Sequence, residues 1–341
     1  MKISSATNRK QYFSRRDNVQ VYRSFQELGN HPRAVMALGN FDGVHMGHRE
    51  LIRETVNIAR ELACDPGIFT FYPHPLTILN PEQVPRTLLP VEEKINLLEK
   101  LGAEFILLAP FNREFAALPP KEFVKQVLCD KLGVSGVIVG YNYSFGCGGL
   151  GTPELLCELG KEYGFVVKVV SPVEVNNHPV SSTLIRELLL QGEVKKAAQY
   201  LGYSPFLKGK VIHGEKRGRQ IGFPTANLEF PEDIIVPANG VYAVSLKLRG
   251  EHLTGVANIG VKPTFHCDNL QRNVEIFIFD FNREIYNQEI EVSFIERIRG
   301  EKAFRGVDEL LSQINLDTET ARIILKQCLN EMENWHIRKA R

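Results

Sequence analysis

The segment that most constrains the fold is the apolar run Ala34-Val35-Met36-Ala37-Leu38 together with the glycine-rich turn behind it. Gly39-Asn40-Phe41-Asp42-Gly43-Val44-His45-Met46-Gly47-His48 comes next, and then 51–60, where apolar residues recur at helical spacing. A strand that turns through glycines into a helix presents backbone N–H groups and the positive end of a helix dipole to an anion. The spacing predicts such a unit, with Gly39, Asn40, Phe41, Asp42 and Gly43 in the turn. His45 and His48 both reach the same anion, one from the turn and one from the helix's first turn. Gly47 between them leaves room for a phosphate to approach the backbone. The competing reading is a partial metal site, but no third Cys or His ligand stands close by in sequence.

From 34 to about 170, near-continuous apolar runs alternate with helical patterns. Strands are expected at 34–39, 67–71, 105–108, 136–139 and 165–170, and helices at 48–63, 91–101, 120–132 and 153–163. Strands of that kind, separated by helices, predict a parallel sheet covered on both faces, with ligands beyond the carboxyl ends of its strands. Two short helices, 182–190 and 194–201, close this half, and Gly202-Tyr203-Ser204-Pro205 reads as a seam. Beyond it, alternating segments such as 240–246 and 273–278, separated by Gly, Pro and Asn, predict an antiparallel β-barrel or sandwich. The expected division is a domain at 19–190, a linker helix at 191–204 and a second domain at 205–338. The tail returns to helical spacing from Val307, with Leu310, Leu311, Ile314, Ile323, Ile324 and Met332 on an apolar face expected to pack on the barrel. The first 18 residues carry no assignable chemistry.

Composition narrows the partners. With 41 basic and 40 acidic side chains in 341 residues, bulk charge does not favour a polyanion, and no basic tract with interleaved aromatics supports nucleic-acid binding. No apolar run approaches the roughly 20 residues that cross a bilayer, so no membrane partner is expected. The polar start Met1–Lys10 lacks a signal-like apolar region. Six cysteines, at 64, 129, 147, 157, 267 and 328, form no Cys-x-x-Cys pair and read as thiols of a reducing cytoplasm.

Two further clusters carry chemistry. Val180-Ser181-Ser182-Thr183-Leu184-Ile185-Arg186 sets hydroxyls at a helix start and an arginine one turn in. Ser182 or Thr183 alone would serve as a helix cap; with Arg186 they also suit a grip on phosphate. In the back half, Gly214, Gly218, Arg219 and Gly222 precede Phe223-Pro224-Thr225-Ala226-Asn227. Glycines there permit tight curvature round a phosphate chain, and Thr225 and Asn227 share a face if the segment is extended. Hydroxyl and amide oxygens suit Mg²⁺, which takes few protein ligands and completes its shell with phosphate and water. Glu275 lies between Val274 and Ile276 on an expected strand, and by pattern alone it faces solvent.

Residues 39–48, Phe71-Tyr72-Pro73-His74-Pro75, Val139-Gly140-Tyr141-Asn142-Tyr143-Ser144-Phe145-Gly146 and 181–186 together resemble the FMN adenylyltransferase half of bacterial bifunctional FAD synthetases. The segment 209–227, with Gly240-Val241-Tyr242-Ala243, Gly255–Gly260 and Arg297-Ile298-Arg299, resembles the riboflavin kinase signature, so the likeness runs from about 30 to 330. It implies a Rossmann-like nucleotidyltransferase domain followed by an antiparallel β-barrel kinase domain with a terminal helix. It further implies phosphorylation of riboflavin to FMN, then transfer of AMP from ATP to FMN, giving FAD and pyrophosphate. His45 and His48 would stabilise the α-phosphate, and Ser182, Thr183 and Arg186 would hold the β- and γ-phosphates. Pro73, His74 and Asn142 would lie on the flavin side, with His74 more a loop-structuring residue than a catalyst. In the kinase half, Gly214, Gly218, Arg219, Gly222 and Pro224 would contact ATP, and Thr225 and Asn227 would hold Mg²⁺. Glu275 would be the general base and Arg299 would belong to the flavin-side loop. Asn287 stands where relatives commonly have glycine. The partners implied are riboflavin, FMN and ATP, and the chain is expected to be a monomer or weak homo-oligomer in the cytoplasm.

Overall fold

The computed structural model describes residues 19–29, 33–214, 222–262 and 271–339. Its chain sorts into two compact units that interleave in sequence. One gathers the chain up to Phe41 with His48–Val84 and Ile95–Ser171; the other gathers Asp42–Gly47, Pro85–Lys94 and everything from Pro172.

The first unit is built on a parallel sheet of six strands: β1 (Gln20–Tyr22), β2 (Ala34–Leu38), β3 (Asp65–Phe71), β4 (Phe105–Ala109), β5 (Val134–Gly140) and β6 (Val166–Val170). Its order is β1-β4-β3-β2-β5-β6, and every pairing is parallel. All five residues of β2 and all five of β4 are buried, which is why their sequences are apolar on both faces. The expected helices fall at Met46–Leu62, Val91–Lys100 and Pro153–Tyr163. The helix expected at 120–132 is a turn at Pro120–Glu122 continued as a π-helix over Phe123–Lys131. Local chemistry sets the ends of Pro153–Tyr163: Thr152 Oγ1 accepts the Leu155 N–H at 3.3 Å, Pro153 opens the helix, and Gly164 closes it in the left-handed region. Strand β1 has no clear pattern in the sequence, and its three half-buried residues pair with β4.

The second unit holds a closed antiparallel barrel, so the sandwich alternative falls away. A two-stranded hairpin, β7 (Glu174–Val175) and β8 (His178–Pro179), precedes it, followed by helices Ser182–Gln191 and Val194–Leu201. The barrel strands are β9 (Phe206–Ile212), β10 (Ala226–Glu229), β11 (Gly240–Leu248), β12 (Glu251–Lys262), β13 (Gln271–Ile278) and β14 (Glu289–Arg299), in the order β10-β13-β12-β11-β14-β9. Leu207, Val211, Tyr242, Val244, Ile276, Val292 and Phe294 fill one core with Ile185, Leu189 and Tyr200 of the two helices. The terminal helix, Val307–Lys339, seats Ala321 and Leu325 against Ala243 and Phe279. Ile323, expected on that buried face, is 60% exposed. At 100° per residue the stripe through Asp317, Ala321, Ile324 and Leu325 faces the barrel and turns Ile323 outward.

Candidate functional sites

In the first unit the order of the sheet reverses at β2, which pairs with β3 on one side and β5 on the other. The crevice beyond the carboxyl ends of those strands is the place where a doubly wound sheet binds ligands. Gly39, Asn40 and Phe41 follow β2, Tyr72–His74 follow β3, Asn142 follows β5, and His48 sits in the first turn of Met46–Leu62. The Asn40 carbonyl accepts from Thr70 Oγ1 at 3.1 Å, and its side-chain amide lies 3.4 Å from His74 Nε2. His74 Nδ1 accepts the Leu76 N–H at 3.2 Å, and its carbonyl accepts from Thr77 Oγ1 at 2.7 Å, so its ring and backbone are spent on loop structure. Tyr72-Pro73 is a cis peptide. Phe41 is fully buried with φ of 51°, and its ring packs at a tilt of 47° against His48, 5.1 Å between ring centroids. A bulky residue holds that backbone only when its surroundings over-determine it, at a cost of order 1–3 kcal/mol. Asn142 is exposed at the end of β5.

The neighbouring stretch, Asp42–Gly47, belongs to the second unit. His45 is 6% exposed, and burial, with the Arg186 charge adding to it, lowers its imidazole from the ordinary 6.5 to about 4. At neutral pH its ring is therefore uncharged. The space above Gly47 is not open as the sequence suggests: a Cβ there would stand 3.2 Å from His45 Cε1, so this glycine makes room for the imidazole. Ser181, and neither Ser182 nor Thr183, caps the helix, its Oγ accepting the Leu184 N–H at 3.2 Å. Ser182 Oγ donates to the Asp42 carbonyl at 2.9 Å, whereas Thr183 is exposed. Tyr203, read in the sequence only as part of a seam, donates its hydroxyl to the Gly43 carbonyl at 2.6 Å. Arg186 pairs with Asp42 and donates Nε to the Arg86 carbonyl at 2.8 Å. Residues 85–94 carry no motif, and their part in this cluster has no signal in the sequence.

The barrel presents a third group. A cleft of about 200 Å³ is lined by Val211, Pro224, Thr225, Ile276, Phe281 and Tyr286. Its far wall, 281–286, escapes sequence reasoning because it has the composition of an ordinary turn. His213 packs against Tyr286 at a tilt of 32°, with 3.8 Å between ring centroids. Asn287 takes φ of 62°, the left-handed conformation that a glycine would supply there. Thr225 is half-buried on the cleft and Asn227 is 4% exposed. Asn227 lies opposite Glu275, which on its other side lies opposite Asn258. Val274 and Ile276 are fully buried, as alternation predicts, and Glu275 is half-buried on the other face. Asn273 Nδ2 donates to Glu275 Oε1 at 2.7 Å and so orients the carboxylate. Gly214 abuts the Asn227 amide so closely that a Cβ would overlap it. Gly222 is exposed with φ of 87°, while Gly218 and Arg219 lie outside the described residues. Arg299 is committed elsewhere: Nη2 bonds the buried Asp317 at 2.8 Å and Nε lies 3.0 Å from its other oxygen, tying β14 to the terminal helix.

Among the described residues no group of three or more His, Cys, Asp or Glu could hold a metal. Thr225 and Asn227 offer two neutral oxygens, a set that fits a Mg²⁺ arriving with a phosphate chain and not a permanently held ion.

Comparison with known proteins matches the chain to two family models in succession. The model for FAD synthetase matches residues 28–184 and that for riboflavin kinase matches residues 201–325. The bifunctional riboflavin kinase/FMN adenylyltransferase of Bacillus subtilis is 41% identical over 292 residues, 85% of this chain and 92% of its own. The chain belongs to the bifunctional riboflavin kinase/FMN adenylyltransferase family. The Escherichia coli K12 member is 34% identical over 307 residues, spanning 89% of this chain and 97% of its own. A crystal structure from Streptococcus pneumoniae described as a macrolide-efflux protein superposes with a TM-score of 0.82 at 34% identity, covering 89% of this chain and 98% of that one. No helix among the described residues is long and apolar enough to cross a membrane. Both halves of the family are thus present in order.

Proposed function

We propose that this chain makes FAD in two ATP-dependent steps, phosphorylating riboflavin on the barrel and adenylylating the resulting FMN on the parallel-sheet half. The order follows from chemistry: adenylylation needs a phosphate nucleophile, and the kinase produces one. The observation that carries the reading is two polar groups suited to phosphate, one of His45 with the Asp42–Arg186 pair and one of Thr225, Asn227 and Glu275.

For adenylylation, His48 at a helix N-terminus and neutral His45 would donate hydrogen bonds to the α-phosphate as charge builds in an in-line displacement. Arg186 and the 182–183 turn would hold the departing pyrophosphate, with Gly39, Asn40, Phe41 and Gly43 shaping the turn round ATP. Asn142 and the 73–74 loop would bound the flavin. For phosphorylation, Glu275, aimed by Asn273, would take the proton from the ribityl 5′-hydroxyl as that oxygen attacks the γ-phosphate. Thr225 and Asn227 would hold Mg²⁺, which would spread the charge of the transferring phosphoryl group. Gly214, Gly218, Arg219, Gly222 and Pro224 would line the ATP chain. Arg299, paired with Asp317, would belong with the 297–304 segment to the flavin-side loop. The enzyme would work in the cytoplasm, where ATP is available, as a monomer or weak homo-oligomer.

Incubating the purified chain with riboflavin, ATP and Mg²⁺ and resolving the flavins by chromatography tests this. FMN and FAD together are expected; FMN alone, or FAD only from supplied FMN, would restrict the protein to one activity.

A further inference from the structure

Asp42 sits in the turn after β2, which the sequence reads as facing an anion. Its carboxylate has protein partners instead. Oδ1 accepts the Leu88 N–H at 2.9 Å and Oδ2 pairs with Arg186 Nη2, while its own carbonyl accepts from Ser182 Oγ at 2.9 Å. Its side chain is 12% exposed and that of Arg186 16%, so the pair lies largely out of solvent. Arg186 Nε is held at the same time by the Arg86 carbonyl at 2.8 Å. That carbonyl is itself anchored. The adjoining Thr87 forms a parallel bridge with Ile234, donating its N–H to the Asp233 carbonyl at 2.7 Å and accepting the Ile235 N–H at 2.9 Å. Lys94, 9% exposed, is a second cation in the field of the same carboxylate.

Resting on the adenylylation reading above, we propose that Asp42 is a positioning residue for FAD formation. Its carboxylate and the Arg86 carbonyl fix two of the three guanidinium nitrogens of Arg186, and Asp42 makes no contact with the nucleotide. Nη1 of Arg186, which has no hydrogen-bond partner among the described residues, is the nitrogen left to meet a phosphate oxygen. A carboxylate facing a triphosphate would repel it, whereas one behind an arginine aims the fork and keeps the phosphate off the acid. The arginine is thereby set before ATP arrives, so no rotamer freedom is lost on binding.

A double-mutant cycle on FAD formation from supplied FMN and ATP tests the assignment. Asp42→Asn keeps the size and an acceptor for the Leu88 N–H but removes the charge. It is expected to lower kcat about 10- to 100-fold, the loss typical of a misplaced catalytic group, with the KM for FMN within about twofold of wild type. Arg186→Lys keeps a positive charge without the fork. If Asp42 acts through Arg186, the double variant is no slower than Arg186→Lys alone, within about twofold. Losses that multiply overturn the proposal, as does an Asp42→Asn enzyme with wild-type kcat. FMN formation from riboflavin reports that each variant is folded; if Asp42→Asn fails that check, Asp42→Glu replaces it in the same cycle with the same two outcomes. A wild-type enzyme that makes no FAD at all would refute the adenylylation reading itself, a result distinct from multiplying losses.

Discussion

Replacing His45 by glutamine removes a titration that the fold suppresses. Burial, reinforced by Arg186, holds the folded-state value near 4 against the ordinary 6.5. Between those values the unfolded chain binds a proton that the folded chain refuses. The contribution to stability is therefore complete above pH 6.5 and is lost as the pH falls toward 4. With those two values, linkage assigns about 2 kcal/mol lost on going from pH 7.5 to pH 5. Glutamine does not titrate, so whatever it costs at pH 7.5, the advantage of wild type over the variant should shrink by about 2 kcal/mol at pH 5. Urea unfolding followed by circular dichroism at the two pH values measures this, because groups common to both proteins cancel in the difference. A wild-type advantage that stays the same at both pH values would refute the reasoning, and would mean that His45 titrates like an exposed imidazole.

Other outcomes stem from particular contacts. Asn287→Gly should leave stability nearly unchanged while Asn287→Val costs about 1–2 kcal/mol, because a β-branched side chain resists the left-handed backbone found there; thermal unfolding distinguishes them. Asp317→Ala strands the Arg299 guanidinium under the terminal helix and should destabilise the barrel unit by about 3 kcal/mol, read from urea midpoints. Asn227→Ala should raise the Mg²⁺ needed for half-maximal FMN formation by about tenfold and leave adenylylation of supplied FMN alone. An equal loss in both reactions would remove Asn227 from the metal assignment.

Much of the scaffold is legible in the sequence because its cause is local. Buried parallel strands such as β2 and β4 must be apolar throughout, and the helices between them announce themselves by spacing and by caps such as Thr152 and Gly164. The barrel announces itself by short alternating segments between turn residues, but its closure and strand order depend on pairings across long separations, so sandwich and barrel look alike in sequence. In the adenylylation group the residue types are legible and their partners are not. Asp42 and Arg186 are 144 positions apart, and the third member of their cluster is a backbone carbonyl, which leaves no trace in side-chain pattern. Gly47 reads as open space for a phosphate, yet it accommodates His45. Arg299 reads by its neighbours in sequence, while its ion pair lies across the fold in Asp317.

The central claim, that two separate groups of residues run two reactions, is tested most directly by crossed variants. His48→Ala should leave FMN formation from riboflavin intact and abolish FAD, and Glu275→Ala should abolish FMN formation while still converting supplied FMN to FAD. Either substitution stopping both reactions in a folded protein would contradict it.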